Sequence, residues 1–260
     1  MPHINRPNLT KFAQQCARIC THSYTSLHMK MIAWTITSLV PSEVSAQAFD
    51  HAYQTWTSVT VQGNVTPDIQ LYVDANWRFY DDFHPSQQLY RPGIGFRLTD
   101  GMVAYLAYAW TPSWNAERRF IDEHRIWEQW AYDIPGLPDG LRLFLRTRFE
   151  QRFRPELSSD VALRLRQFVR VLVPFARDFP LHLSLWDEAF FALSDAGLSS
   201  DGSLWQRAGF DQNRIFLGIG WNLIPGEFRI EGGYLNQWIV RPGTDTVNHM
   251  LMINAFVTVL

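Results

Sequence analysis

The stretch LRLFLRTRFEQRF, Leu141 to Phe153, does most to limit what this chain can fold into. Arg142, Phe144, Arg146, Arg148, Glu150 and Arg152 alternate there with Leu141, Leu143, Leu145, Thr147, Phe149, Gln151 and Phe153. A period of two is the period of a β-strand, whose side chains leave the pleat on opposite faces. One face of this strand is apolar and the other is a dense row of guanidinium groups. The fold must give each face a fitting environment.

The same habit recurs along the chain. From Tyr53 onward the pattern predicts strands over 53–62, 68–79, 88–99, 102–111, 121–131, 141–153, 161–173, 181–193, 213–223, 227–239 and 246–259, with no amphipathic helix between them. Most are longer than the usual five or six residues. Turn residues mark the joins, among them Thr99-Asp100-Gly101 and Ile224-Pro225-Gly226. No linker, composition shift or fixed-period repeat interrupts residues 49–260, which read as one domain. The expected architecture is all-β: a closed antiparallel transmembrane β-barrel of about 10–12 strands. Eleven candidates are awkward for it, because single-chain bacterial barrels normally hold an even number.

Strand length and charge decide which face is wet. A tilted strand of about 10 to 12 residues spans the apolar band of an outer membrane. Arginines inside such a barrel can meet carboxylates across the lumen. This assigns Glu123, Arg125, Arg142, Arg146, Arg148, Glu150, Arg152, Arg164, Arg166, Arg170, Glu188, Arg214, Arg229 and Glu231 to the lumen. Desolvation costs several kcal/mol per ion, so wet gaps are expected between them. Trp56, Trp77, Tyr80, Trp110, Trp130, Trp221 and Trp238 sit mostly near strand ends, where aromatic girdles meet the headgroups. A secreted soluble ligand-binding barrel is the alternative in which the arginines merely cover an outer surface.

A formal net charge of -2 argues against a general nucleic-acid binder. Mean hydropathy is -0.16, and no apolar run is long enough for a transmembrane helix. Near the N-terminus, Lys30 precedes the apolar core Met31–Val40 and the small residues Val44, Ala46 and Ala48. That order reads as a cleavable signal peptide over 29–48, with 1–28 an extension or a misassigned start. Cleavage would remove Cys16 and Cys20 and leave no cysteine to misform a disulfide during export.

EHRIWEQW, RTRFEQRF, ALRLRQFVR, LSLWDEAFF, QNRIFLGIGWNL, EGGYLNQW and the closing NHMLMINAFVTVL together resemble the bacterial domain of unknown function 2490, from about Trp56 to the end. The resemblance implies an outer-membrane barrel with no assigned activity and carries over no catalytic residue. Outer-membrane lipid, lipopolysaccharide and the barrel-assembly machinery are then the expected partners, with no cofactor and an unknown substrate. Such barrels often end on an aromatic residue; this chain ends on Leu260, with Phe256 nearby.

Few groups suggest chemistry. His182 and Ser184 share a strand face, as a histidine and a serine do in outer-membrane phospholipase. They lack that family's Asn-Gly-Arg run, and two polar groups in a polar lumen explain them. His124, His182 and His249 have no metal-ligand spacing. Asp100 and Asp139 belong to Asp-Gly turns. The arginine rows could hold phosphate or an acidic sugar, although pairing with lumen carboxylates accounts for them. The leading role is a non-enzymatic narrow pore or an envelope structural or assembly protein. An envelope enzyme acting on phospholipid or lipopolysaccharide is the alternative.

Overall fold

The computed structural model of the protein describes residues 48–115, 117–176, 179–198 and 204–259. The expected leader apart from Ala48, the segment before it, both cysteines and Leu260 lie outside those residues. Eleven long strands follow one another: β1 (Ala48–Asn64), β2 (Ile69–Tyr80), β3 (Pro85–Thr99), β4 (Met102–Trp110), β5 (His124–Ile134), β6 (Arg142–Phe153), β7 (Val161–Pro174), β8 (Leu181–Ala192), β9 (Gly209–Ile224), β10 (Phe228–Ile239) and β11 (Thr244–Val259). Each predicted strand corresponds to one of them.

Neighbours in sequence pair antiparallel all the way round, and β11 then pairs with β1 to close the barrel. The closed all-β architecture and the strand number agree with expectation. The seam departs from it: β1 and β11 run parallel, from Ala48 opposite Thr244 to Gly63 opposite Val259. Each hairpin reverses the chain, so an odd number of strands leaves the first and last running the same way. Only a parallel ladder can join them.

Cross-strand partners run from Gly63 through Leu71, Ile94, Leu106, Glu128, Phe149, Leu165 and Phe191 to Phe210. Gly63 lies at the end of its strand on one rim, and Phe210 at the start of its own on the other. Strands so staggered are tilted, by about 40° in barrels of this type. Connections 65–68, 100–101, 135–141, 175–180 and 225–227 gather on one rim with the end of β11. Connections 81–84, 111–123, 154–160, 193–208 and 240–243 gather on the other with the start of β1. Gly101 and Gly226, at φ 94° and 82°, permit tight turns on the first rim, because a side chain is strained there.

Alternation divides the wall into two faces. On β6, β7, β8 and β9 the even positions face inward and are mostly buried, whereas Ile215, Leu217 and Ile219 on the opposite face of β9 are each about half exposed. The interior is polar with apolar islands. Trp56, Phe216, Leu235 and Met250 form one, and Trp127 with Ala107 and Ala109 forms another.

Candidate functional site

The charged interior is built from carboxylates that gather arginines from neighbouring strands. Glu123, just ahead of β5, accepts from Arg125 Nε, Arg152 Nε and Arg154 Nε, each at 2.7 Å. Glu150 on β6 holds Arg164, and Arg166 Nη1 at 2.6 Å. Glu188 on β8 holds Arg146 at 2.5 Å and Arg166 at 2.7 Å. Glu231 on β10 pairs with Arg170, and with Arg229 at 3.2 Å; Asp74 on β2 pairs with Arg91. All five carboxylates are buried.

Guanidinium groups nevertheless outnumber these carboxylates. Arg78 bonds neutral oxygens, Asn76 Oδ1 at 2.9 Å and Gln87 Oε1 at 2.6 Å, and lies 3.7 Å over the Trp56 ring. Arg148 is 2% exposed, bonds Gln129 Oε1 and lies 3.9 Å over Trp127. Its carboxylate neighbour Glu150 is 3.7 Å away and already engaged. Arg214 stands 3.7 Å from Glu188. Arg142 is a rim residue: its side chain is 58% exposed and meets Asp133 at 3.3 Å.

Among the described residues, side chains of the 193–208 connection occupy the long-loop end of the lumen. In the 193–208 connection, Ala196–Leu198 pairs with Leu204–Gln206. Gln206 turns inward, donates to the Leu163 and Ser194 carbonyls at 3.0 Å and accepts from Arg152 Nη1 at 2.9 Å. Trp205 lies under Arg154 at 4.7 Å. The Gly197 N–H, 2.9 Å from Asp160, holds that carboxyl below its ordinary pKa. Buried Phe190, Glu150, Arg164 and Gln212 fill the next level. Below them a cavity of about 560 Å³ begins at Trp56, Arg78, Arg148, Arg166 and Arg214. It runs to the short-turn rim, where Gly101, Arg142, Glu227 and Thr258 line it.

Two expected girdle residues belong elsewhere. Trp56 is 3% exposed and points inward, because it shares its strand face with Ser58 and Thr60. Tyr80 lies on the Arg78 face of β2 and donates to the Trp114 carbonyl at 2.8 Å. Closeness to a strand end suggests the girdle for both, but strand parity sets them apart from the rest. Trp110, Trp130 and Trp221 are exposed on the outer face, Trp130 in mid-strand. Trp77 is partly exposed, and Trp238 donates to Asp245 at 2.7 Å. The outer face also holds polar contacts on β5 to β9: Gln151 to Glu128 at 3.3 Å, Thr147 to Gln167 at 2.8 Å and Asn213 to Asp187 at 3.0 Å.

His182 and Ser184 both turn to Glu231, the histidine Nε2 at 3.6 Å and the serine Oγ at 3.4 Å. The serine therefore has the Glu231 carboxylate, not the histidine, as its hydrogen-bond partner, so the two do not form a serine–histidine pair. His182 needs Gly220 opposite, since a Cβ there would enter its ring. Among the described residues no group of His, Cys, Asp and Glu is arranged to hold a metal.

Residues 53–248 match the family model described as protein of unknown function, DUF2490. An uncharacterized protein of Methylorubrum extorquens is 30% identical over 207 residues, which cover 78% of this chain and 86% of that protein. No solved structure matches.

Proposed function

We propose that this chain, which belongs to the DUF2490 family of proteins of unknown function, is a non-enzymatic outer-membrane barrel whose lumen is blocked at one end. One observation carries the reading: the amphipathicity is inverted. Leu71, Val73, Leu106, Ile215, Ile219 and Leu251 stand exposed around the wall, while arginine and glutamate are buried. In water so large an apolar surface would associate or aggregate. In a bilayer it meets acyl chains, and lipid and lipopolysaccharide become its partners. Outer-membrane barrels keep short turns toward the periplasm and long loops outside. The blocked end then faces out and the cavity opens inward. The polar pairs on β5 to β9 satisfy each other's hydrogen bonds, which limits their cost at an apolar boundary. The export signal and the assembly machinery complete the same reading.

Two measurements test it. Expressed in a Gram-negative host, the full chain sediments with outer-membrane fractions on a sucrose gradient; recovery as a soluble periplasmic protein refutes the location. Refolded into planar bilayers, it gives no steady unitary conductance. Regular single-channel steps would refute the blocked lumen and restore the narrow pore.

A further inference from the structure

We propose that the cavity at the short-turn end is a binding site for a phosphate-class anion, with Arg78 and Arg148 as its principal contacts. The site does not depend on whether the outer wall meets lipid. Charge is the first ground. Ten arginines but five carboxylates line the cavity, so its own side chains leave it strongly cationic. Arg78 and Arg148 pair with none of those five; Arg97, the other lining arginine that pairs with none of them, is turned to the Pro67 carbonyl. Arg78 bonds two amide oxygens, and Arg148 has an occupied carboxylate at 3.7 Å. Arg91 and Arg166 carry charge near both, and all four side chains line the cavity.

Unpaired donors are the second ground. Arg146 Nε, Arg148 Nη1 and Arg170 Nε are buried without a hydrogen-bond partner among the described residues. A buried N–H left unpaired is destabilising, and these three belong to side chains that line the cavity, where a bound anion would bring an acceptor. Arg78, Arg148 and Arg146 lie over the Trp56, Trp127 and Phe168 rings, which restrains their guanidinium groups. A tetrahedral dianion matches such planar forks and neutralises more than one of them.

The lower wall indicates what the anion can carry. Phe144, Leu172, Phe256 and Val257 line the cavity along with the arginines. A phosphate monoester could place its head on Arg78 and Arg148 and an apolar substituent along this wall. A volume of about 560 Å³ is within the range of small-molecule sites.

The experiment is titration calorimetry on the full chain in a neutral maltoside detergent, with inorganic phosphate and with dodecyl phosphate as separate probes. Saturable binding of about one equivalent is expected. Tighter binding of dodecyl phosphate identifies a lipid-type ligand, whereas equal or weaker binding identifies free phosphate; both support the site. Arg78→Gln and Arg148→Gln each weaken binding by about tenfold, the value of one lost charge-assisted contact. Neither change strands a carboxylate that depends on that arginine alone, so both variants fold, which heat-modifiability on SDS gels verifies. Where a glutamine variant fails to fold, lysine at the same position keeps the charge and reads the loss of the planar fork as weaker binding. Absence of saturable binding of either probe to the parent chain overturns the proposal. So does unchanged affinity in the folded variants at both positions.

Discussion

Neutralising Glu150 should destabilise the barrel far more than neutralising Arg148, although the two are buried neighbours on one face of one strand. Glu150 accepts two hydrogen bonds from Arg164 and one from Arg166 Nη1 at 2.6 Å. Glu150→Gln keeps the shape and removes the charge. A hydrogen bond to a charged group contributes about 1.5–3 kcal/mol against about 1 for a neutral one, so three such bonds lose about 3 kcal/mol. Two cations also lose a counter-charge, and breaking buried pairs this way costs about 3–5 kcal/mol. For Arg148→Gln the terms oppose one another. The bonds to Gln129 and the stack on Trp127 are lost, at about 1–2 kcal/mol each. Removal of the unpaired Nη1 and of repulsion from Arg146, Arg166 and Arg91 restores a similar amount. The expected net change is within about 1 kcal/mol. Urea unfolding in detergent, followed by tryptophan fluorescence and gel mobility, reads both variants. If Glu150→Gln is as stable as the parent, or Arg148→Gln is the worse of the two, the arginines are not in surplus.

Three further outcomes follow from the same arrangement. Trp56→Ala costs about 3–5 kcal/mol because it empties a packed interior site, whereas Trp221→Ala on the outer wall costs about 1 or less; equal losses in urea unfolding would return Trp56 to the wall. Val59→Cys with Ala255→Cys, which face each other across the seam, forms an intrachain disulfide on oxidation in a chain also carrying Cys16→Ser and Cys20→Ser. A gel shift reversed by reductant detects it, and failure to cross-link contradicts the parallel closure. Leu217→Arg, at mid-length on the outer face of β9, costs about 2–4 kcal/mol for the chain folded in liposomes; a change below about 0.5 would mark that wall as water-facing.

Strand identity is legible in the sequence because it is local. Arg146, Arg148 and Glu150 alternate with Leu145, Thr147 and Phe149, and that period needs no tertiary context to be read. The seam is not legible, because no local signal says which strand Ala48–Tyr53 will meet; β1 starts earlier than its own pattern suggests because β11 pairs with it there. Trp56 misleads for a related reason. Its place near an end of the predicted strand favours a girdle, while Ser58 and Thr60 on the same face mark that face as polar and interior. The occupied end of the lumen is hidden in a Ser- and Gly-rich connection that reads as a loop, yet sends Trp205 and Gln206 back onto Arg152 and Arg154. Charge balance across the lumen also lies beyond a strand-by-strand reading. It depends on which carboxylates the barrel brings among its arginines.

The parallel seam makes the greatest demand on the chain, and its residues explain why it holds. A hairpin contact such as Thr60 to Asp74 spans 14 residues, whereas Ser58 to Asn254 spans 196. Closure entropy grows only as (3/2)RT ln n, so the longer loop costs about 2 kcal/mol more. The Ser58 Oγ to Asn254 Oδ1 bond at 2.6 Å and the packing of Trp56 with Met250 offset that amount on the inner face. Register is the sharper demand. A slip of one residue between β1 and β11 would set Trp56 and Ser58 beside the outward row of Leu251, Ile253 and Ala255. Either the Trp56 ring would then leave the interior or those aliphatic side chains would enter it, and Asn254 would lose its serine. Both faces therefore select the same alignment, and an odd-stranded barrel closes in one register without a hairpin to set it.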